Sequence, residues 1–256
     1  MTALPAGYHD ATLVPPAREN VLAEAWGVRE LPRLLLRSTR LLRVPRGEGQ
    51  PVMVLPGHSS TDTWTVPLRT YLRRLGYDAH GWGLGTNHGD VAALLPPVTE
   101  QVAALARRAG RPVHLLGWSL GGVIAREVAR DRPDLVAQVI TYGTPVVGGP
   151  VYTIMGSRYS PQTIAHILGI VEQANRTPIA VPLTSIFSRA DGVVAWRASI
   201  DTVHPHTQHV EVRSTHTGLG LDPDVWLAEA RRLVDPGPRD DIPPPPRQEK
   251  TTRTPA

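Results

Sequence analysis

Three side chains in this sequence could together cleave an acyl bond: Ser119, Asp191 and His216. A serine hydroxyl is a weak nucleophile at neutral pH and needs a base to take its proton. Histidine does this near pH 7 and returns the proton to a leaving group. An aspartate fixes the imidazole tautomer and stabilises the imidazolium. The serine has the most telling surroundings. An apolar run (Val113, His114, Leu115, Leu116) leads into Gly117-Trp118-Ser119-Leu120-Gly121, and a helical pattern follows with Ile124, Val128 and Ala129 on one side. Strand, sharp turn and helix around G-x-S-x-G is the pattern of a nucleophile elbow. Such a turn strains the serine backbone and leaves room only for glycine two residues to either side. It also aims the positive end of the following helix at the place where an oxyanion would form.

Asp191 and His216 each follow a predicted strand, Val181–Ser188 and Gln208–Arg213. The intervals from 119 to 191 and from 191 to 216 are long enough for parallel crossovers of about a dozen residues or more. The Leu120 N–H is the first expected oxyanion donor. The His58 N–H, after the strand ending at Pro56-Gly57, is the second. Asp191 sits in Ala-Asp-Gly, which is also a turn signal, and Asp201 is the competing acid. Asp222 and Asp224 read as a helix cap. His204, His206 and His209 lack metal-ligand spacing, and H-E-x-x-H is absent, so no metal is expected.

The elements that must position these groups alternate. Residues 51–55 form a strand, 63–75 a helix ended by Gly76, Tyr77–Trp82 a strand, Val98–Ala109 a helix, Arg111–Gly117 the strand into the elbow, and Leu135–Tyr142 the next strand. Strand and helix in alternation imply an α/β protein, with a mostly parallel central sheet and helices on both faces. Residues 146–180 break the rhythm and hold a helix near Gln162–Gln173, a natural small lid. Pro223–Val234 is the last helix.

Three regions follow: an N-terminal arm at 1–18, one α/β domain at 19–234, and a proline-rich tail at 235–256 too polar to fold. Glu19–Val44 reads as helix, broken near Gly27 and restarted at Leu31-Pro32. Its arginines at 29, 33, 37, 40 and 43 share a face. That face could touch an anionic lipid surface through residues 29–46. The favoured reading is a solvated arginine face on a helix lying against the domain.

Length and composition fit this plan. A chain of 256 residues, 41% hydrophobic and 20% charged, suits one large soluble domain. With no cysteine there is no disulfide or thiolate chemistry. The first residues lack a signal-peptide pattern, so a cytoplasmic location is expected, and no apolar run approaches the ~20 residues of a membrane span. Net charge is +4, with Lys250 the only lysine. The charge is dispersed, without the aromatic-interleaved basic motif of a nucleic-acid reader. No phosphate-binding G-x-x-x-x-G-K-[ST] loop is present.

The ordered segments LPGHSSTD, GYDAHGWGLGTNHG, GWSLGG, ITYGTPVVGGP, SRADGVVAW and STHTGL, across about residues 50–234, resemble the α/β-hydrolase superfamily in its bacterial esterase/lipase-like branch. The order Ser, Asp, His is that superfamily's order. Pro56-Gly57 departs from the His-Gly of many lipases at the oxyanion loop. The resemblance implies the α/β-hydrolase fold, no cofactor, and a covalent acyl-Ser119 intermediate. The expected function is hydrolysis of small-molecule or lipid carboxylic esters. Trp118, Trp64, Ile154 and Met155 would line an apolar acyl pocket. An acyltransferase or thioesterase on the same triad remains an alternative, and a non-catalytic binding module with this fold is the more distant one.

Overall fold

In the strand Pro51–Leu55, Val52 and Val54 pack on one side while Met53 and Leu55 pack on the other, and all four are buried. Apolar residues on both faces of a strand mean that both faces of its sheet are covered. The computed structural model, which describes residues 13–236, shows how. The N-terminal segment consists of α1 (Arg18–Ala23), a 3₁₀ turn (Glu24–Arg29), α2 (Glu30–Leu36) and α3 (Ser38–Leu41). There follow β1 (Pro51–Leu55), α4 (Asp62–Arg74), β2 (Asp78–Gly81), α5 (Val91–Ala109), β3 (Val113–Trp118), α6 (Leu120–Asp131) and β4 (Val136–Tyr142). The chain continues through α7 (Pro161–Asn175), β5 (Leu183–Ser188), β6 (Gln208–Val212) and α8 (Pro223–Val234). The six strands form one sheet in the order β2-β1-β3-β4-β5-β6, every neighbouring pair parallel. Residues of α4 and α8 close one apolar core against the sheet, and those of α5 and α6 close the other. The arm expected at 1–18 and the tail expected at 235–256 lie outside the described residues, except for residues 13–18, 235 and 236.

Two expectations need correction. The helix expected from Val98 begins at Val91, and Pro96 and Pro97 lie inside it. Asp90 caps it, its carboxylate accepting the Ala93 N–H at 3.0 Å. Both prolines fall in the first two turns of the helix.

The second correction concerns the arginine face of the N-terminal segment. Arg33 and Arg37 are turned toward the domain. Arg33 bonds Asp222 at 3.2 Å and Asp224 at 3.0 Å, and Arg37 also bonds Asp224. Asp222 is the N-cap of α8 and Asp224 lies in its first turn, so the two arginines meet an acidic helix start. Outward, Arg29, Arg40 and Arg43 stay exposed beside apolar residues, with Leu35 and Leu36 exposed at 78% and 83% and Trp26 beneath the Arg29 guanidinium. No described helix is long and apolar enough to cross a membrane.

Candidate active site

Ser119 stands between β3 and α6 with φ 53° and ψ −122°, a left-handed conformation that costs a non-glycine residue about 1–3 kcal/mol. The glycines around it are sterically required. A Cβ at Gly117 would lie 2.3 Å from the Gly122 Cα, and one at Gly121 would lie 2.4 Å from the Leu55 carbonyl oxygen. The turn is held from β4: the Ser119 N–H donates to the Tyr142 carbonyl at 2.9 Å, and the Thr144 hydroxyl donates to the Ser119 carbonyl at 2.9 Å.

Asp191 and His216, on the loops after β5 and β6, come together. His216 Nδ1 lies 2.8 Å from Asp191 Oδ2, and both residues are buried. The other Asp191 oxygen accepts the Val193 and Val194 N–H groups at 2.8 and 2.7 Å, which fixes the carboxylate. Burial alone would lower the His216 pKa. The Asp191 charge, its hydrogen bond and the nearby Glu24 outweigh burial and raise it above the ordinary 6.5. The His216 ring centroid is 5.7 Å from that of Trp118, next to Ser119. The residue after β4 packs against this ring: a Cβ at Gly143 would lie 3.0 Å from His216 Nδ1.

Asp201, the competing acid, is engaged elsewhere. It pairs with buried Arg126 at 2.7 Å and with His204 Nδ1 at 3.0 Å. His209 Nε2 accepts the Asp201 N–H at 3.0 Å. The histidines at 204 and 209 therefore belong to a structural network. Among the described residues no group of three or more His, Asp or Glu is placed to hold a metal ion.

The loop after β1 abuts Ser119: a Cβ at Gly57 would lie 3.3 Å from the Ser119 Cβ. Among the described residues neither the His58 nor the Leu120 N–H has a hydrogen-bond acceptor. Trp118 is half-buried, and its indole N–H has no partner among the described residues. Ile154 donates its N–H to the Val193 carbonyl at 2.9 Å, on the loop that carries Asp191. Met155 follows it, partly exposed, and Trp64 projects from α4 at 62% exposure.

Three residues that position the site carry no sequence signal of their own. Buried Asn87 donates its amide to the Pro56 carbonyl at 2.9 Å and accepts the Ser59 N–H on its own carbonyl at 2.7 Å, pinning the loop that holds His58. The Asp62 carboxylate accepts the Trp82 and Gly83 N–H groups at 3.0 and 2.9 Å and ties that loop to the end of β2. Glu24 binds the loops of Asp191 and His216. Each acts across a sequence gap that no local pattern spans.

No protein-family model matches the chain. Three curated proteins named pimeloyl-acyl-carrier-protein methyl ester esterase are similar to it in part. That of Aeromonas hydrophila is 39% identical over 64 residues, 25% of this chain and 24% of that protein. That of Sodalis glossinidius is 38% identical over 85 residues, 32% and 31% of the two lengths. That of Aliivibrio salmonicida is 31% identical over 108 residues, 41% and 40% of the two lengths. The chain thus aligns with less than half the length of these relatives. Solved structures match far more of it. Aspergillus fumigatus lipase B superposes with a TM-score of 0.58 at 18% identity, covering 76% of this chain and 54% of that one. A Bacillus licheniformis lipase in its mature form gives 0.57 at 13% identity, covering 75% and 95%. An α/β superfamily hydrolase of Oenococcus oeni gives 0.56 at 15% identity, covering 74% and 94%. With its parallel six-stranded sheet and its strand–turn–helix at Ser119, this chain has the α/β-hydrolase fold.

Proposed function

We propose that this protein is a serine hydrolase of carboxylic esters, acting through Ser119, His216 and Asp191. The observation that carries the reading is the 2.8 Å pair between His216 Nδ1 and Asp191 Oδ2, at the sheet edge where Ser119 holds its left-handed turn. Ser119 Oγ attacks the ester carbonyl carbon while His216 Nε2 takes its proton. The tetrahedral oxyanion accepts hydrogen bonds from the Leu120 and His58 N–H groups, each such donor being worth about 3–4 kcal/mol in the transition state. The alcohol leaves with the proton from His216. Water, activated by His216, then releases the acid from Ser119. Asp191 keeps the imidazole oriented throughout. Trp118, Ile154, Met155 and Trp64 supply apolar surface for the acyl group, and the segment 146–180 with α7 forms a small lid over it. The partial relatives carry the name of methyl ester esterases, which favours ester hydrolysis over acyl transfer or thioester cleavage.

The test is hydrolysis of p-nitrophenyl esters of increasing chain length by the native protein and by Ser119→Ala. Loss of activity in the folded variant supports the reading. Equal activity in Ser119→Ala, or none on any ester by the native protein, overturns it. Contact with a lipid surface is proposed through outward Leu22, Leu35 and Leu36, since Arg33 and Arg37 are committed to Asp222 and Asp224. Binding to phosphatidylglycerol vesicles that survives Leu35→Ser with Leu36→Ser would reject this.

A further inference from the structure

The N-terminal segment lies outside the sheet, yet one of its side chains binds both loops that carry the acid and the base. Glu24 Oε1 accepts the Gly192 N–H at 2.7 Å and the His216 N–H at 2.8 Å. Glu24 Oε2 accepts the Thr217 N–H at 2.9 Å, and the Thr217 hydroxyl lies at the same distance. Gly192 follows Asp191 directly, so backbone donors next to both members of the pair converge on one carboxylate. Hydrogen bonds to an ionised acceptor are roughly twice as strong as neutral ones. The close approach is built into the chain. A Cβ at Gly192 would lie 2.2 Å from the Asn20 carbonyl oxygen, and one at Gly27 would lie 2.6 Å from Thr217 Oγ1. Asn20 adds a second tie, donating its side-chain amide to the Arg189 carbonyl at 3.0 Å.

We propose that Glu24 is a positioning residue for the reaction, clamping the Asp191 and His216 loops in register and placing a negative charge beside the imidazole. This rests on the Ser119–His216–Asp191 reading above. The charged groups facing His216 are Asp191, from the loop after β5, and Glu24, from the N-terminal segment. Glu30 lies behind them, accepting from the Ser214 hydroxyl at 3.3 Å, with Arg33 as its partner. Trp118 supplies an uncharged ring from β3. A glutamine at position 24 keeps the size but loses the charge. It also turns an amide N–H toward backbone donors, so at least one of these hydrogen bonds is lost.

The experiment measures kcat and KM for p-nitrophenyl butyrate between pH 5 and 9, in the native protein, Glu24→Gln, Asn20→Ala and Ser119→Ala. Melting curves and covalent labelling by a phosphonate ester serve to count competent sites. The expected result for Glu24→Gln is a kcat per labelled site lower by about tenfold or more, with KM little changed. Its acid limb should move to lower pH by about half a unit, because removing a nearby negative charge disfavours the imidazolium. Asn20→Ala loosens the same segment without touching the charge and should leave the acid limb in place. An unchanged kcat and acid limb in Glu24→Gln overturns the proposal. So does an equal shift in Asn20→Ala, which would make the effect one of segment docking. If Ser119→Ala keeps its activity, the triad reading fails first. If Ser119→Ala is inactive and Glu24→Gln behaves as the native protein, only the role of Glu24 fails.

Discussion

His216 Nδ1 and Asp191 Oδ2 stand 2.8 Å apart, joined across two neighbouring parallel strands, β5 and β6, that end side by side. The Ser188 hydroxyl at the end of β5 strengthens the junction, accepting the Ala190 N–H at 3.1 Å and the Ser214 N–H at 3.2 Å. Asp191 and His216 therefore share a frame as well as a hydrogen bond.

From this pair it follows that Asp191→Asn should keep the fold and lose the chemistry. The amide can still accept the Val193 and Val194 N–H groups, but it presents N–H to His216 Nδ1 and selects the wrong tautomer. A fall in kcat of about 10⁴-fold is expected, with a near-native melting temperature. A variant that retains most of its kcat would return Asp201 to consideration.

The pH profile should carry the same signature. Because Asp191 and Glu24 hold the His216 pKa above the ordinary 6.5, the base stays protonated to higher pH than a free imidazole. The acid limb of kcat/KM is expected above 6.5, and one at or below that value would contradict the arrangement. The sign for stability is opposite. The contribution of the imidazolium–carboxylate pair is complete below the unfolded pKa and fades as pH rises through the folded one.

Asp201→Asn should separate structure from chemistry. Burial would raise the Asp201 pKa, but Arg126 and His204 hold it far below the ordinary 3.8. The substitution leaves the Arg126 guanidinium buried without its counter-charge, an expected loss of about 3–5 kcal/mol at pH 7. A depressed carboxylate stabilises above its unfolded pKa and loses that contribution as pH falls through its folded one. The gap between variant and parent should thus narrow in acid. Urea midpoints at pH 7 and pH 3 measure this; equal midpoints at pH 7 would rule it out.

Glu229 on α8 is buried in the core shared with Tyr71 and Tyr142, and neither carboxyl oxygen has a hydrogen-bond partner among the described residues. Burial holds its pKa well above the ordinary 4.5. A raised carboxyl pKa costs stability as pH climbs above the unfolded value. Glu229→Met is therefore expected to stabilise by about 1–3 kcal/mol, more at pH 8 than at pH 5. Melting temperatures at the two pH values test it, and a lower melting temperature in the variant at pH 8 would refute it.

The local features of the site were legible in the sequence because each depends on residues close in the chain. At Gly117 the steric contact is with Gly122, within one turn, although Gly121 is also required by the Leu55 carbonyl of β1. The strand at 51–55 and the helix at 223–234 coincide with β1 and α8, since apolar patterning and caps act over a few residues. Tertiary structure decided the long-range choices. Asp191 and Asp201 both follow β5 in turn-like sequence, and only the packing of α6, which brings Arg126 to Asp201, leaves Asp191 for His216. The spacing of Arg33 and Arg37 predicts one face but not its direction, because that depends on the acidic start of α8. Glu24 reads as one more helical charge, and its meaning comes from loops nearly two hundred residues away, brought to it by the sheet that orders β5 beside β6.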